Sequence, residues 1–162
     1  MENRGESIRV MFVCHGNICR SPMAEFISRT LAEQRGVSER FFFSSSATST
    51  EEIWNGVGNP VYPPARAELL RHGIDPAGKR AVQLQASDYD KYDLFVGMDS
   101  ANLRNMHRIL GGDPKGKIRR LMAYTERGGD VADPWYSDRF DIAYRDILQG
   151  CTALLEALLQ DN

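Results

Sequence analysis

Residues 8–25, Ile-Arg-Val-Met-Phe-Val-Cys-His-Gly-Asn-Ile-Cys-Arg-Ser-Pro-Met-Ala-Glu, constrain the fold more than any other stretch, because an apolar run breaks there into a short polar loop that opens a helix. Ile8, Val10, Met11, Phe12 and Val13 suffice for a strand buried on both faces, the pattern of a parallel sheet. Ser21-Pro22 starts a helix, with proline in the first turn, where no amide donor is needed. Between strand and helix lies the spacing Cys14-x5-Arg20.

The following residues continue the α/β pattern. Met23, Phe26, Ile27 and Leu31 give the helix an apolar face, and Gly36 is a stop signal. Phe41-Phe42-Phe43 running into Ser44-Ser45-Ser46 reads as a second strand, and a parallel partner to the first requires a crossover helix of this length, completing a right-handed βαβ unit. Residues 47–64, rich in Gly, Asn, Pro, Ser and Thr with Trp54 isolated among them, read as a long loop over one end of the sheet. A helix is expected over 63–72, stopped by Gly73, then either a short strand or an extended link over 80–84.

Residues 92–98 read as another strand, with Asp99 or Ser100 capping a helix through Leu110 and a break at Gly111-Gly112-Asp113-Pro114. A final strand is expected over 117–122, then a polar loop containing Asp133-Pro134-Trp135-Tyr136. Phe140, Tyr144, Ile147, Leu148, Cys151, Leu154, Leu155 and Leu158 recur at three- and four-residue spacing, which predicts a helix over 139–159 with one face on the sheet.

The 162 residues show no repeat or linker, so one domain over 1–162 is expected. At 42% hydrophobic and 26% charged, the composition is that of an ordinary globular protein. A net charge of -2 provides no global basic field, which argues against nucleic acid or an anionic membrane as principal partner. No apolar run approaches the roughly 18 residues of a membrane span or a signal-peptide core, so no membrane insertion and a cytoplasmic location are expected. The three cysteines, an odd number with no C-x2-C pair, suit reduced thiols. The histidines lack zinc-site spacing, and neither a metal nor a cofactor is expected.

A loop from a strand end into a helix N-terminus aims backbone amides and the positive end of the helix dipole at one small volume, where an oxyanion fits. Gly16 and Asn17 tolerate the positive φ that such wrapping requires. Arg20 adds a planar fork for two oxygens of a phosphoryl group. The same field favours the thiolate form of Cys14, the form that attacks phosphorus, and Ser21 at the helix start is placed to donate to the sulfur. The departing oxygen needs a proton that nothing in the loop supplies. Asp133 is the candidate acid, in a loop that a parallel sheet brings to the same end, with Trp135 and Tyr136 as apolar walls.

The segments at 13–25, Ser-Ala-Thr-Ser at 46–49, Met-Asp at 98–99, Asn-Leu at 102–103 and Asp-Pro-Trp-Tyr at 133–136 closely resemble the low-molecular-weight protein tyrosine phosphatase family, almost end to end. The resemblance implies an α/β fold: a single-domain four-stranded parallel twisted sheet flanked by helices on both faces, a flavodoxin-like three-layer sandwich. It implies hydrolysis of phosphotyrosine in proteins, with inorganic phosphate as product and a monomer or weak dimer as working state. Cys14 would be the nucleophile, Arg20 the phosphate clamp and Asp133 the general acid. Asn17, Ser21, Ser45 and His72 match positions whose hydrogen bonds hold the phosphate loop in the family.

Around the loop, His15 is expected at the pocket rim, Gly16, Ile18 and Cys19 in the substrate site, and Trp54 as an aromatic wall opposite Trp135, which replaces the commoner tyrosine. Cys19 also offers a second thiol with which Cys14 can pair on oxidation. Residues 50–66 look like bacterial members. Arsenate reductases of this fold need further cysteines that residues 73–110 lack. Protein-arginine phosphatases of the family carry threonine where this chain has Ile18, whose apolar side chain favours a flat aromatic substrate. A non-catalytic phosphate-binding module is the alternative from another class, but it needs neither Cys14 nor Asp133.

Overall fold

In a computed structural model, which describes residues 7–160, the chain runs β1 (Ile8–Cys14), α1 (Arg20–Gln34), β2 (Phe41–Ala47), a hairpin of β3 (Ile53–Trp54) and β4 (Val57–Gly58), α2 (Pro63–Arg71), β5 (Leu94–Gly97), α3 (Ser100–Leu110), β6 (Ile118–Arg120), α4 (Pro134–Ser137) and α5 (Phe140–Gln160). The main sheet has the order β2-β1-β5-β6, and every pair in it is parallel. Val10, Phe12 and Cys14 pack into the layer of α1, α2 and α5, while Met11 and Val13 pack into the layer of α3. Burial on both faces explains why β1 has no polar alternation. The expected three-layer α/β sandwich is the fold.

Register then decides what meets at the active end. Cys14 lies opposite Ala47 of β2, and Val13 lies opposite Gly97 of β5, so the carboxyl ends of these strands finish together. Phe12 stacks on Phe43 and Phe43 on Phe41 at 6.0 and 5.4 Å between ring centres, which locks this register in the core. On the outer edge of β2, Arg29 Nη2 donates to Phe43 O at 3.3 Å and Lys79 Nζ to Ser45 O at 3.0 Å, covering carbonyls that an edge strand leaves unpaired.

The structure revises some of these expectations and decides between the alternatives of others. The buried face of α1 includes Met23 and Ile27, but Phe26 and Leu31 are half-buried and a stripe of Ser21, Ala24, Glu25, Ser28 and Ala32 is covered instead. Small side chains let α1 approach α5 closely, and Cys151 Sγ donates to Ala24 O at 3.7 Å across that contact. Residues 80–84 form an extended link bonded to the end of β2 through Ala47 N to Val82 O and Leu84 N to Ala47 O, both 2.8 Å. The last strand stops at Arg120, because Leu121 and Met122 both enter the same core layer, which a turn permits and an alternating strand forbids. Asn55-Gly56, at φ of 53° and 78°, turns the hairpin within the long loop, a signal the sequence carried.

The helix expected over 139–159 is α5, with Phe140, Tyr144, Ile147, Cys151, Leu154 and Leu155 buried and Leu148 and Leu158 packed at the margin of the core. Gly150 packs against the turn that follows β6: a Cβ there would lie 2.6 Å from Leu121 Cγ. Alanine at an ordinary helical site gains about 1 kcal/mol over glycine. Here Gly150→Ala should instead lower stability by about 1–3 kcal/mol, because the fully buried Leu121 has nowhere to move. Urea denaturation checks this, and an unchanged or raised midpoint refutes the contact.

Candidate active site

Residues 15–19 carry the chain from β1 into α1, and donors of this loop and of the first turn of α1 point at one atom. Asn17 N and Ser21 N lie 3.3 and 3.4 Å from Cys14 Sγ, and Ser21 Oγ lies 3.0 Å from it. The loop is held from outside: Thr48 N donates to Cys14 O, Ser49 N to His15 O and Tyr62 N to Ile18 O, at 3.0, 3.0 and 2.8 Å. Asn17 takes the positive φ expected of it, at 61°. Gly16 does not, and its requirement is for space: a Cβ there would meet Glu52 Cγ at 3.2 Å.

Arg20 is 3% exposed. Its Nη1 donates to Asp99 Oδ2 at 2.7 Å and to Val131 O at 2.9 Å, and its Nη2 is 3.5 Å from Asp133 Oδ2. Burial works against the guanidinium charge, but Cys14, Asp99 and Asp133 outweigh it and hold its pKa above the ordinary arginine value. Asp99 divides its oxygens, since Oδ1 accepts from Asn102 N at 2.8 Å to cap α3 while Oδ2 fixes Arg20. Only the cap was visible in the sequence.

Asp133 caps α4 through Trp135 N at 3.0 Å, and Val131 N bonds Met98 O at 2.9 Å, tying this loop to the end of β5. A cleft of about 390 Å³ results, floored by Cys14, Gly16, Ile18, Cys19 and Arg20. Asp133, Trp135 and Tyr136 form one wall, while His15 stands at the rim with Nε2 3.1 Å from Glu51 Oε2. The opposite wall is not aromatic. Trp54 sits on the hairpin, 79% exposed and outside the cleft lining, and Glu51 and Glu52 take that place. Trp135 packs instead on Tyr62, 4.8 Å between ring centres, a partner the sequence did not reveal.

Beneath the loop, Asn17 Nδ2 bonds Ser21 Oγ at 2.8 Å and Ser45 Oγ at 3.0 Å, bringing together three of the four expected support residues. His72 is the exception. Its Nε2 pairs with Glu68 Oε2 at 3.0 Å and its ring stacks on Tyr144 of α5 at 3.8 Å, because it lies at the C-terminal cap of α2, beside α5. The remaining position is filled by Glu25, whose Oε1 accepts from Ser45 Oγ at 2.6 Å, and by Lys79, 3.9 Å from the same oxygen. Glu25 stands one turn beyond Ser21, the i, i+4 spacing that shares a helix face, and that spacing was the overlooked signal.

The three thiols are free and buried, but they are not equivalent. Burial, followed by the charge at Cys14, pushes the Cys19 thiol far up, and burial pushes Cys151 up to about 12. Both stay protonated at neutral pH. Among the described residues, no cluster of three or more His, Cys, Asp or Glu is arranged to hold a metal ion.

The sequence matches the family model for low molecular weight phosphotyrosine protein phosphatase over residues 9–162. The Bacillus subtilis low molecular weight protein-tyrosine-phosphatase YfkJ is 35% identical over 157 residues, spanning 96% of this chain and 98% of its own. Its crystal structure superposes with a TM-score of 0.92 at 34% identity, over 99% of both chains. The human low molecular weight phosphotyrosine protein phosphatase is 36% identical over 152 residues, 91% of this chain and 93% of its own. A Drosophila arginine phosphatase has a TM-score of 0.83 at 25% identity, covering 96% of this chain and 100% of that one. With Cys14-x5-Arg20 at the end of β1 and a match running nearly the length of the chain, the protein belongs to the low molecular weight phosphotyrosine protein phosphatase family.

Proposed function

We propose that this protein hydrolyses phosphotyrosine in proteins through a cysteinyl-phosphate intermediate. The observation that carries the reading is the convergence of Asn17 N, Ser21 N and Ser21 Oγ on Cys14 Sγ beside the buried Arg20. Those donors favour a thiolate, and Arg20 and the loop amides neutralise the oxygens of a bound phosphoryl group. The Cys14 sulfur forms a bond to phosphorus as the bond from phosphorus to the tyrosyl oxygen breaks, and Asp133 gives that oxygen its proton. Water then attacks the thiophosphoryl group, returning a proton to Asp133. Inorganic phosphate leaves, and the sulfur keeps the electron pair as a thiolate that Ser21 stabilises.

Substrate choice follows from the cleft. Ile18 in the floor and Trp135 with Tyr136 in one wall offer dispersion and apolar burial to a phenyl ring. Glu51 and Glu52 in the opposite wall favour a second reading, protein-arginine phosphatase activity, since carboxylates complement a guanidinium. Ile18 weighs against it, because an apolar side chain gives the phosphoramidate nitrogen no partner. The three free thiols suit a reducing compartment, and we place the protein in the cytoplasm; no helix among the described residues is long and apolar enough to cross a membrane.

Rates on matched phosphotyrosine, phosphoserine and phosphoarginine peptides test the reading directly: phosphotyrosine should be turned over fastest, and a preference for phosphoarginine overturns it. Cys14→Ser should lower kcat by about a thousand-fold or more while phosphate still binds. Residual turnover near wild type removes Cys14 as nucleophile. Asp133→Ala should slow poor leaving groups by about 10²–10⁴-fold and good ones far less; equal losses remove it as the acid. At pH 7, iodoacetamide followed by peptide mass mapping should modify Cys14 and spare Cys19 and Cys151, whose thiols burial keeps protonated.

A further inference from the structure

The hydrogen bonds under the phosphate loop admit one consistent set of directions. Val82 N donates to Asn17 Oδ1 at 3.0 Å, which fixes the amide so that Nδ2 faces the two serines. Nδ2 spends one hydrogen on Ser21 Oγ and the other on Ser45 Oγ, so both hydroxyls accept from Asn17 and each must send its own proton elsewhere. Ser45 sends it to Glu25 Oε1, at 2.6 Å. Ser21 has Cys14 Sγ at 3.0 Å and Ser46 O at 3.5 Å, and the nearer sulfur is the better acceptor when it is charged. The chain therefore has an anion at each end, the thiolate and Glu25.

Glu25 is 4% exposed, and a buried carboxylate of that kind stays charged only with counter-charges. Arg29, one turn on, and Lys79 supply them. Arg29 is half in solvent, whereas the Lys79 side chain is 12% exposed and also donates to Ser45 O at 3.0 Å. Lys79 takes no part in the chemistry proposed above. Burial, opposed by Glu25 and assisted by Arg29, holds its pKa below the ordinary lysine value, so its charge is kept in place at a cost.

We propose that Glu25 and Lys79 form a buried charged anchor that positions the Ser45–Asn17–Ser21 relay, keeping the Ser21 proton on Cys14 and so setting how much of Cys14 is thiolate. Both are positioning residues, and the proposal rests on the reading of Cys14 as nucleophile. With Glu25 ionised, Ser45 has an acceptor for its proton and leaves its lone pairs to Asn17. With Glu25 neutral, Ser45 keeps only a carbonyl acceptor, weaker than a carboxylate, and Lys79 loses its counter-charge; the hold on Ser45 and on the Asn17 hydrogen it accepts then loosens, and the Ser21 proton is freer to turn to Ser46 O. The other groups facing Cys14 are Arg20 from α1 and Cys19 in the loop, with His15, Glu51, Glu52 and Asp133 around the cleft. None of them is changed in the variants below.

The experiment follows the rate of Cys14 alkylation by iodoacetamide against pH in the full chain, together with kcat and KM. Lys79→Met and Glu25→Gln should each raise the alkylation midpoint by about half to one pH unit. Each should lower kcat about three- to ten-fold with a smaller change in KM, and Lys79→Arg should restore most of the loss. A direct charge effect on the thiolate predicts opposite signs for the two variants, because one removes a cation and the other an anion, and opposite signs overturn the relay. A lowered melting temperature with an unmoved midpoint reduces the pair to structural support and overturns it equally. If Lys79→Met does not fold, the near-isosteric Glu25→Gln decides the question by itself. Failure of the underlying reading looks different, since wild-type Cys14 would then alkylate no faster than an ordinary thiol.

Discussion

Burial of β1 on both faces is the constraint on which the rest depends. A strand covered from both sides must lie inside a sheet, and with Phe12 and Phe43 stacked across the β1–β2 register its end is fixed to within one residue. That end is Cys14. The parallel partners finish at Ala47 and Gly97 on the same side, so every loop leaving a carboxyl end has the same small volume within reach. The Asp133 loop arrives there because Val131 is tied to Met98, the residue after β5.

Charge is then handled by division of labour. Arg20 is buried and would be costly alone, but Asp99 and Val131 O hold one of its arms and leave the other toward the cleft. Asp99 is itself fixed as the cap of α3, so Arg20 is anchored to a helix on the opposite face of the sheet from α1. Beneath the loop the order is reversed, with the carboxylate of Glu25 held by the cations Arg29 and Lys79. Cys14 thus lies between the guanidinium of Arg20 and the hydroxyl of Ser21, both carried by α1.

The elements built on local pattern were legible. The strand at 8–14, the 3.6-residue rhythm over 140–160, the cap at Asp99 and the break at Gly111 each depend on neighbours within one or two turns. What escaped depends on distance. Trp54 looked like a pocket wall because aromatic residues in loops often are, yet the Asn55-Gly56 turn carries it onto a hairpin in solvent, and Glu51 and Glu52 face the cleft instead. His72 was assigned to the phosphate loop from a likeness of positions, but α2 points it at Glu68 and Tyr144. Gly16 was explained by dihedral freedom, and the close approach of a side chain 36 positions on is what it serves.

The sequence alone determined the strand, the loop and the helix that surround Cys14 and Arg20, because strand burial, loop length and helix initiation are short-range matters of pattern and spacing. The candidate acid could be named from it as well, since a parallel sheet sends its loops to one end. Only the tertiary structure decided which side chains surround that loop: Asp99 and Val131 on Arg20, Tyr62 behind Trp135, and Glu25 with Lys79 below Ser45. These contacts join residues from different elements, and no periodicity records them. The last of them arises where α1, β2 and the segment after α2 close on one another, and wherever a charge is buried the low dielectric makes it require a partner that the chain supplies from far away in sequence.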